Sequence, residues 1–447
     1  MADRFVGGTA PGLILAAPAS GSGKTLVTLA LLRHYAQSGM AVAGAKAGPD
    51  YIDPAFHAAA SSRPSFNLDP WAMRPETLAA LVAATGQGAD LVLCEGVMGL
   101  FDGIGARGVG STADLAALTG WPVVLIVDVR GQATSAAATI AGFARHRADV
   151  PLAGVIFNRI GGTRHRDLLV EAVAAACPGL AVLGALPRND ALRMPERHLG
   201  LVQAREHGDL SAFLDRAAGF IATHCDTAAL ARCGRPTRLP GSQTAVPVAP
   251  LGQRIAIAED DAFAFAYPAV RAGWRQAGAT LLPFSPLADQ PPASDADAVY
   301  LPGGYPELHA GRLAGNMRFL DGLRSRVDAG AAVFGECGGY MVLGAGLVDA
   351  AGQRHAMAGL LPLEASFAAR NLHLGYRRAR LLVDTPYGPK GAAFRGHEFH
   401  YASILTEGPG QPLFEVSGAQ GLDVAALGRV RGRLAGSFIH LIDRETA

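Results

Sequence analysis

Two short stretches hold residues that could do chemistry, and they would do different kinds. In "LILAAPASGSGKTLVTLALL" a Gly-rich turn separates an apolar run from an amphipathic one. Backbone N–H groups of Gly21, Ser22, Gly23 and Lys24 would cradle phosphates there, Lys24 would reach the β- and γ-phosphates, and Thr25 would bind Mg²⁺. Pro18 stands where the usual pattern has its first glycine, so this is a variant loop. A triphosphate site also needs carboxylates for its metal, and two loops at the ends of predicted strands supply them. "KAGPDYIDP" offers Lys46, Asp50 and Asp53, and "VLCEGVMGLFDG" offers Glu95 and Asp102. In a parallel sheet ligands gather at the carboxyl ends of strands, so these loops should converge on the phosphate loop. Any one of these acids could equally be an N-cap or turn residue; the set favours Mg–ATP. Asn158 in "VIFNRIGG" is placed to read an adenine edge or to serve as a left-handed turn residue.

The second stretch is "GECGGYM", residues 335–341. A cysteine between an apolar strand and a helix, flanked by Gly335, Gly338 and Gly339, has the form of a nucleophile elbow. The N–H of the next residue would face an oxyanion, and the helix N-terminus is expected to lower the thiol pKa. A base is needed, and His440 in "GSFIHLID" is the best placed, with His397 and His400 in "GHEFHYA" competing. That segment lacks HExxH spacing and reads as a strand, so no zinc site is expected.

These residues need a frame. From residue 12 to about 222, apolar runs such as "GLILAA", "DLVLCEG", "PVVLIVDV" and "LAGVIFN" alternate with helical segments, which implies a parallel sheet covered on both faces. The pattern lapses in a Pro-, Gly-, Ser- and Thr-rich stretch and resumes at "RIAIAED". The expected organisation is therefore α/β with two domains: residues 1–223, a linker over 224–252, and a second domain over 253–447. Net charge is +1 among 447 residues, which gives no general attraction for nucleic acid or an anionic membrane. Five cysteines without CxxC spacing argue against a disulfide framework. With no signal-like start and no long apolar run, a cytoplasmic protein is expected.

"YLPGGYPELH", "GECGGYM" and "SFIHL" together resemble the class I glutamine amidotransferase domain, whose expected fold is flavodoxin-like. The resemblance implies Cys337 as nucleophile, His440 as base, and Gly303, Gly304 and Gly338 as backbone oxyanion donors. The commonest form carries Glu two residues after the histidine, but Ile442 stands there, so the third member is missing or comes from elsewhere, with Glu398 and Asp443 as candidates. The N-terminal part resembles dethiobiotin synthetase, which implies Thr25, Asp50 and Glu95 as Mg²⁺ ligands. Ammonia from a glutaminase needs an activated acceptor, and an ATP site can make an acyl phosphate from a carboxylate.

Nearly end to end, through "KAGPDYIDPAFH", "EGVMGLFDG", "LPRNDALRMPERHLGL" and "GHEFHYA", the chain resembles the cobyrinic (or hydrogenobyrinic) acid a,c-diamide synthase family. That implies ATP and L-glutamine as co-substrates, Mg²⁺, a corrinoid polycarboxylate amidated at its a and c side chains for cobalamin biosynthesis, and a homodimer. Such a polyanion explains Arg188, Arg193, Arg197 and His198 in one loop, since an arginine fork suits carboxylates. Lys46, Asp53 and Asp102 are then available to orient the acceptor carboxylate or ammonia. The runner-up is a cobyric acid synthase, which amidates other side chains of the same ring. A partition-type ATPase is a reading from another class, disfavoured by the balanced charge.

Overall fold

A computed structural model describes residues 10–194, 196–197, 200–201, 203–241 and 245–446, with 196–197 and 200–201 described by backbone alone. The chain divides into two units, Met1–Trp71 with Leu78–Gln243, and Ala72–Thr77 with Thr244–Ala447. No helix among the described residues is long and apolar enough to cross a membrane.

In the first unit the apolar runs become strands and the amphipathic runs helices. The order is β1 (Gly12–Ala16), α1 (Lys24–Gln37), β2 (Val42–Ala47), α2 (Asp53–Ser61), β3 (Phe66–Leu68), α3 (Pro75–Gly86), β4 (Leu91–Glu95) and α4 (Thr112–Thr119). β5 (Val123–Asp128), α5 (Ser135–His146), β6 (Leu152–Ile160), α6 (Thr163–Ala176) and β7 (Ala181–Pro187) follow. A short pair, β8 (Glu196–Arg197) and β9 (Gly200–Leu201), precedes α7 (Leu210–His224) and α8 (Thr227–Cys233). Seven parallel strands make one sheet in the order β3-β2-β4-β1-β5-β6-β7. Every residue of β1, β2 and β4 is buried, as a sheet covered on both faces requires. At three residues β3 is too short to show as an apolar run. The stretch 224–252, read from composition as a linker, contains α8.

The second unit begins with β10 (Arg254–Ala258), α9 (Pro268–Gln276), β11 (Thr280–Phe284), β12 (Ala298–Leu301), α10 (Ala310–Gly315) and α11 (Met317–Asp328). Then come β13 (Ala332–Glu336), α12 (Gly338–Leu343), β14 (Gly346–Val348), β15 (Arg354–Ala356), β16 (Leu363–Ser366) and β17 (His373–Leu381). β18 (Ala393–His400), β19 (Ser403–Glu407), β20 (Gln411–Gly418), β21 (Ala425–Arg431), β22 (Leu434–Ser437) and β23 (Ile439–Arg444) complete it. Its ten-stranded sheet runs β11-β10-β12-β13-β22-β21-β20-β17-β18-β23. The first five strands are parallel, in the order 2-1-3-4-5 of a flavodoxin-like sheet. β22 and β23 are consecutive in the chain, separated by Phe438, yet stand fifth and last in the sheet. The antiparallel half must therefore curl back, and the backbone N–H of Leu441 on β23 reaches Glu336 Oε1 at the end of β13, 2.8 Å away.

Candidate active sites

The phosphate loop occupies the turn between β1 and α1, with Lys24 and Thr25 as the first two helical residues. Sheet register decides which acids meet it. On β4, Glu95 pairs with Leu15 of β1 on one side and Lys46 of β2 on the other. Fully buried, Glu95 accepts from Thr25 Oγ1 (2.5 Å) and Lys46 Nζ (3.0 Å) through Oε1, and bonds His57 Nε2 (2.8 Å) through Oε2. Lys46 Nζ also meets Asp53 Oδ2 at 2.5 Å. Burial alone would raise the Glu95 pKa, but Lys46, His57 and Thr25 hold it well below the ordinary carboxylate range. Burial and the nearby Asp50 push Asp53 upward against the pull of Lys46. Burial would lower Lys46, but Asp53 and Glu95 overcome it and keep the ammonium charged.

Lys24 donates to the Met98 carbonyl at 2.6 Å, and burial brings its pKa down to about 8. Asp50 Oδ1 accepts the N–H groups of Ile52 (2.8 Å) and Asp53 (3.2 Å), while Asp102 Oδ2 accepts from Gly99 N (2.8 Å). Gly21, Lys24, Thr25, Lys46, Asp50, Glu95 and Asn158 line one cavity of about 620 Å³, whose rim carries Arg188 and Arg193. Asn158 lies inside β6 and donates to the Ser22 carbonyl at 2.8 Å, so it props the phosphate loop. The left-handed residue is the next one, Arg159, at φ 64°, also within β6. Arg188 pairs with Asp190 at 3.0 Å, both exposed. The side chains of Arg197 and His198 lie outside the described residues. The sequence reading passed over His57, although Asp53 and His57 are four apart and share one face of α2.

In the second unit β13 ends at Glu336 and α12 begins at Gly338, so Cys337 is the whole turn. Its backbone sits at φ 51°, ψ −107°, a conformation that non-glycine residues adopt only under strain. The elbow's tightness explains Gly339: a Cβ there would strike the Leu301 carbonyl oxygen. At Gly303 a Cβ would strike His440 Cε1 and would stand 3.1 Å from His440 Nε2 and 3.2 Å from Cys337 Cβ. Imidazole and cysteine thus border one hollow that only a glycine leaves open. Gly304 N lies 3.1 Å from where a Cβ on Gly338 would stand, which draws the expected oxyanion donors together.

The thiol itself corrects an expectation. Burial pushes the Cys337 pKa up, with Glu307, Glu336 and Glu398 adding to it and the Gly338 N–H only partly opposing. A six-residue helix does not offset full burial. His440 is also fully buried, and desolvation brings it down to about 3, against an opposing pull from the Phe265 backbone and Glu398. Of the competing histidines, His400 is bonded to Glu398 at 3.0 Å, and His397 lies opposite His440 on β18, held down to about 4 by burial. Glu398 also takes Arg377 Nε at 2.8 Å. Asp443 is clasped by Arg74 Nη2 at 2.9 Å and by Arg74 N at 2.8 Å. A third acid, Glu336, comes within ion-pair distance of the His440 ring, with Oε2 3.7 Å from His440 Nδ1.

Comparison with known proteins joins the two centres. Residues 13–202 match the CobQ/CobB/MinD/ParA nucleotide binding domain, and residues 254–447 match the CobB/CobQ-like glutamine amidotransferase domain. A hydrogenobyrinate a,c-diamide synthase of Rhodobacter capsulatus is 55% identical over 96% of this chain and 98% of its own length. Its counterpart in Rhizobium meliloti is 53% identical over 97% and 99%. The chain belongs to the hydrogenobyrinate a,c-diamide synthase family. It is thus an enzyme of the glutamine amidotransferase-type ligases, with a nucleotide-binding unit ahead of the amidotransferase one. A crystal structure of a glutamine amidotransferase aligns over 42% of this chain and 89% of its own at 18% identity, with a TM-score of 0.30, too low to carry an argument. Family members share motifs, but a motif does not say which carboxylate faces the histidine. Glu336 has no sequence signal of its own, because it stands immediately before Cys337 instead of two residues after His440.

Proposed function

We propose that this chain uses ATP and glutamine to amidate the a and c side-chain carboxylates of hydrogenobyrinic acid, the metal-free ring of cobalamin biosynthesis named in its relatives. The observation that carries the reading is that one chain holds two centres: a phosphate loop whose Thr25 meets a buried acid, and a strained cysteine sharing a hollow with a buried histidine.

In the second unit Cys337 Sγ bonds to the glutamine amide carbon as its proton passes to His440 Nε2. The N–H groups of Gly303, Gly304 and Gly338 take the oxyanion. His440 returns the proton to the departing nitrogen, ammonia leaves, and water hydrolyses the thioester to glutamate. In the first unit a ring carboxylate oxygen attacks the γ-phosphorus of ATP and ADP leaves, with Lys24 and the N–H groups of Gly21 to Lys24 holding the phosphates. Ammonia then bonds to the acyl carbon and phosphate departs. Thr25 and Glu95, in contact at 2.5 Å, and Asp50 on the wall of the same cavity offer only oxygen donors, partly anionic, which fits a hard cation such as Mg²⁺. Bound there, the ion supplies charge neutralisation on the transferred phosphoryl group. Asp53 and Asp102 orient the acceptor or ammonia, and Lys46 holds the acids in register. Asn158 acts in nucleotide binding by fixing the loop. Arg188, Arg193, Arg197 and His198 take the ring's other carboxylates. A cytoplasmic homodimer that binds neither nucleic acid nor membrane completes the reading.

Product mass after incubation with ATP, Mg²⁺, glutamine and ring acid is the test. Two replacements of OH by NH₂ on hydrogenobyrinic acid support the proposal. No change with either the metal-free or the cobalt ring overturns it, and turnover only of an already a,c-diamidated ring means the cobyric acid synthase reaction instead.

A further inference from the structure

We propose that the Glu336 carboxylate is the positioning residue for His440, replacing the acid that the commoner glutaminase pattern places two residues after the histidine. The inference rests on the glutaminase reading above and adds to it a role for the residue immediately before the nucleophile.

The geometry has three parts. First, the two faces of the imidazole are distinguished: Nε2 borders the Gly303 hollow together with Cys337, and Nδ1 faces Glu336 Oε2 at 3.7 Å. Second, the carboxylate is itself held. Leu441 N donates to Oε1 at 2.8 Å and the Tyr300 hydroxyl donates to Oε2. Leu441 is the residue after His440, so the same strand that carries the base also fixes the acid. Third, Glu336 and His440 are both buried, so an imidazolium formed on proton transfer would have no water to stabilise it. A carboxylate at ion-pair distance in that setting favours the charged imidazole far more than it would at the surface. The position normally occupied by the acid holds Ile442, buried and unable to serve.

The groups facing Glu336 are Tyr300 from β12, Tyr387, Cys337 beside it and His440 from β23. Burial raises Glu336 to about 7, against the hydrogen bonds from Tyr300 and Leu441. Its charged form therefore accumulates as pH rises through about 7, and glutamine hydrolysis should rise with it.

The experiment compares Glu336→Gln, Glu336→Asp and Tyr300→Phe in the full chain, reading kcat and KM for glutamine between about pH 5.5 and 9. Gln keeps an acceptor for Leu441 N, so a merely structural role survives the change. The expected result for Glu336→Gln is a fall in kcat of about 100-fold with KM nearly unchanged and the rising limb lost. Glu336→Asp should keep the limb at reduced kcat. Tyr300→Phe removes a donor to the carboxylate, so its limb should move to higher pH. Ammonium-supported synthesis and thermal melting report whether each variant folds; if Glu336→Gln fails to fold, an unmoved limb in Tyr300→Phe overturns the proposal. So does wild-type kcat in Glu336→Gln, or a rise in KM alone. Cys337→Ala run in parallel separates the two failures: if it still hydrolyses glutamine, the glutaminase reading itself is wrong.

Discussion

The two centres follow opposite electrostatic plans. Around the phosphate loop, charges are kept and paired: Lys46 lies between Asp53 and Glu95, and Glu95 is also bonded by Thr25 and His57. Around Cys337 charge is suppressed, with the thiol pushed up and His440 pushed down by burial, so both rest neutral. The difference matches the ligands. A nucleotide arrives highly charged, and a prearranged ionic network meets it without reorganisation. Glutamine's amide is neutral, and in the proposed mechanism charge appears only when the thiol proton moves; a dry site would then make every donor at the oxyanion and every acid at the imidazole count for more.

The largest expected effects break the pair apart. Cys337→Ala should lower glutamine-supported amidation by about 1,000-fold or more and spare synthesis from added ammonium, whereas Lys24→Ala should abolish both, as product mass will show. Equal loss of both activities in Cys337→Ala would contradict the division of labour. Gly303→Ala sharpens the glutaminase side: its Cβ collides with His440, so glutamine use should fall about 100-fold while ammonium use persists. On the nucleotide side, Lys46→Met leaves two buried carboxylates facing each other. It should cost about 3–5 kcal/mol of stability in a denaturant titration, and a midpoint unchanged from wild type would mean that the network is not ionic. The smallest effect is on pH. Lys24 loses its proton above about 8 in the free enzyme, lowered by burial from its ordinary value, so its charge is present below that pH and lost above it. ATP affinity measured by titration calorimetry should therefore weaken as pH rises through about 8.

Much of this was legible in the residues. Apolar strands in alternation with helices fix a parallel sheet, and "SGSGKT" and "GECGGYM" are local constellations whose spacing already carries their chemistry. Asp50, Glu95 and Lys46 could be nominated because strand ends in such a sheet converge. What stayed hidden depended on contacts distant in sequence. Asn158 reads as a turn residue or a base reader until Ser22, 136 positions away, is seen to accept from it. The thiol's burial could not be inferred from a helix start that by itself argues the other way.

By itself, then, the sequence determined the enzyme class and the order of the two units and nominated the nucleophile, because each rests on neighbours within a few residues. Only the tertiary structure decided what stands beside His440. The sheet of the second unit curls until its last strand meets the end of β13, and that closure sets Glu336 against an imidazole 104 positions later in the chain. A side chain's neighbours across a curled sheet are set by strand order and register, which no local pattern encodes.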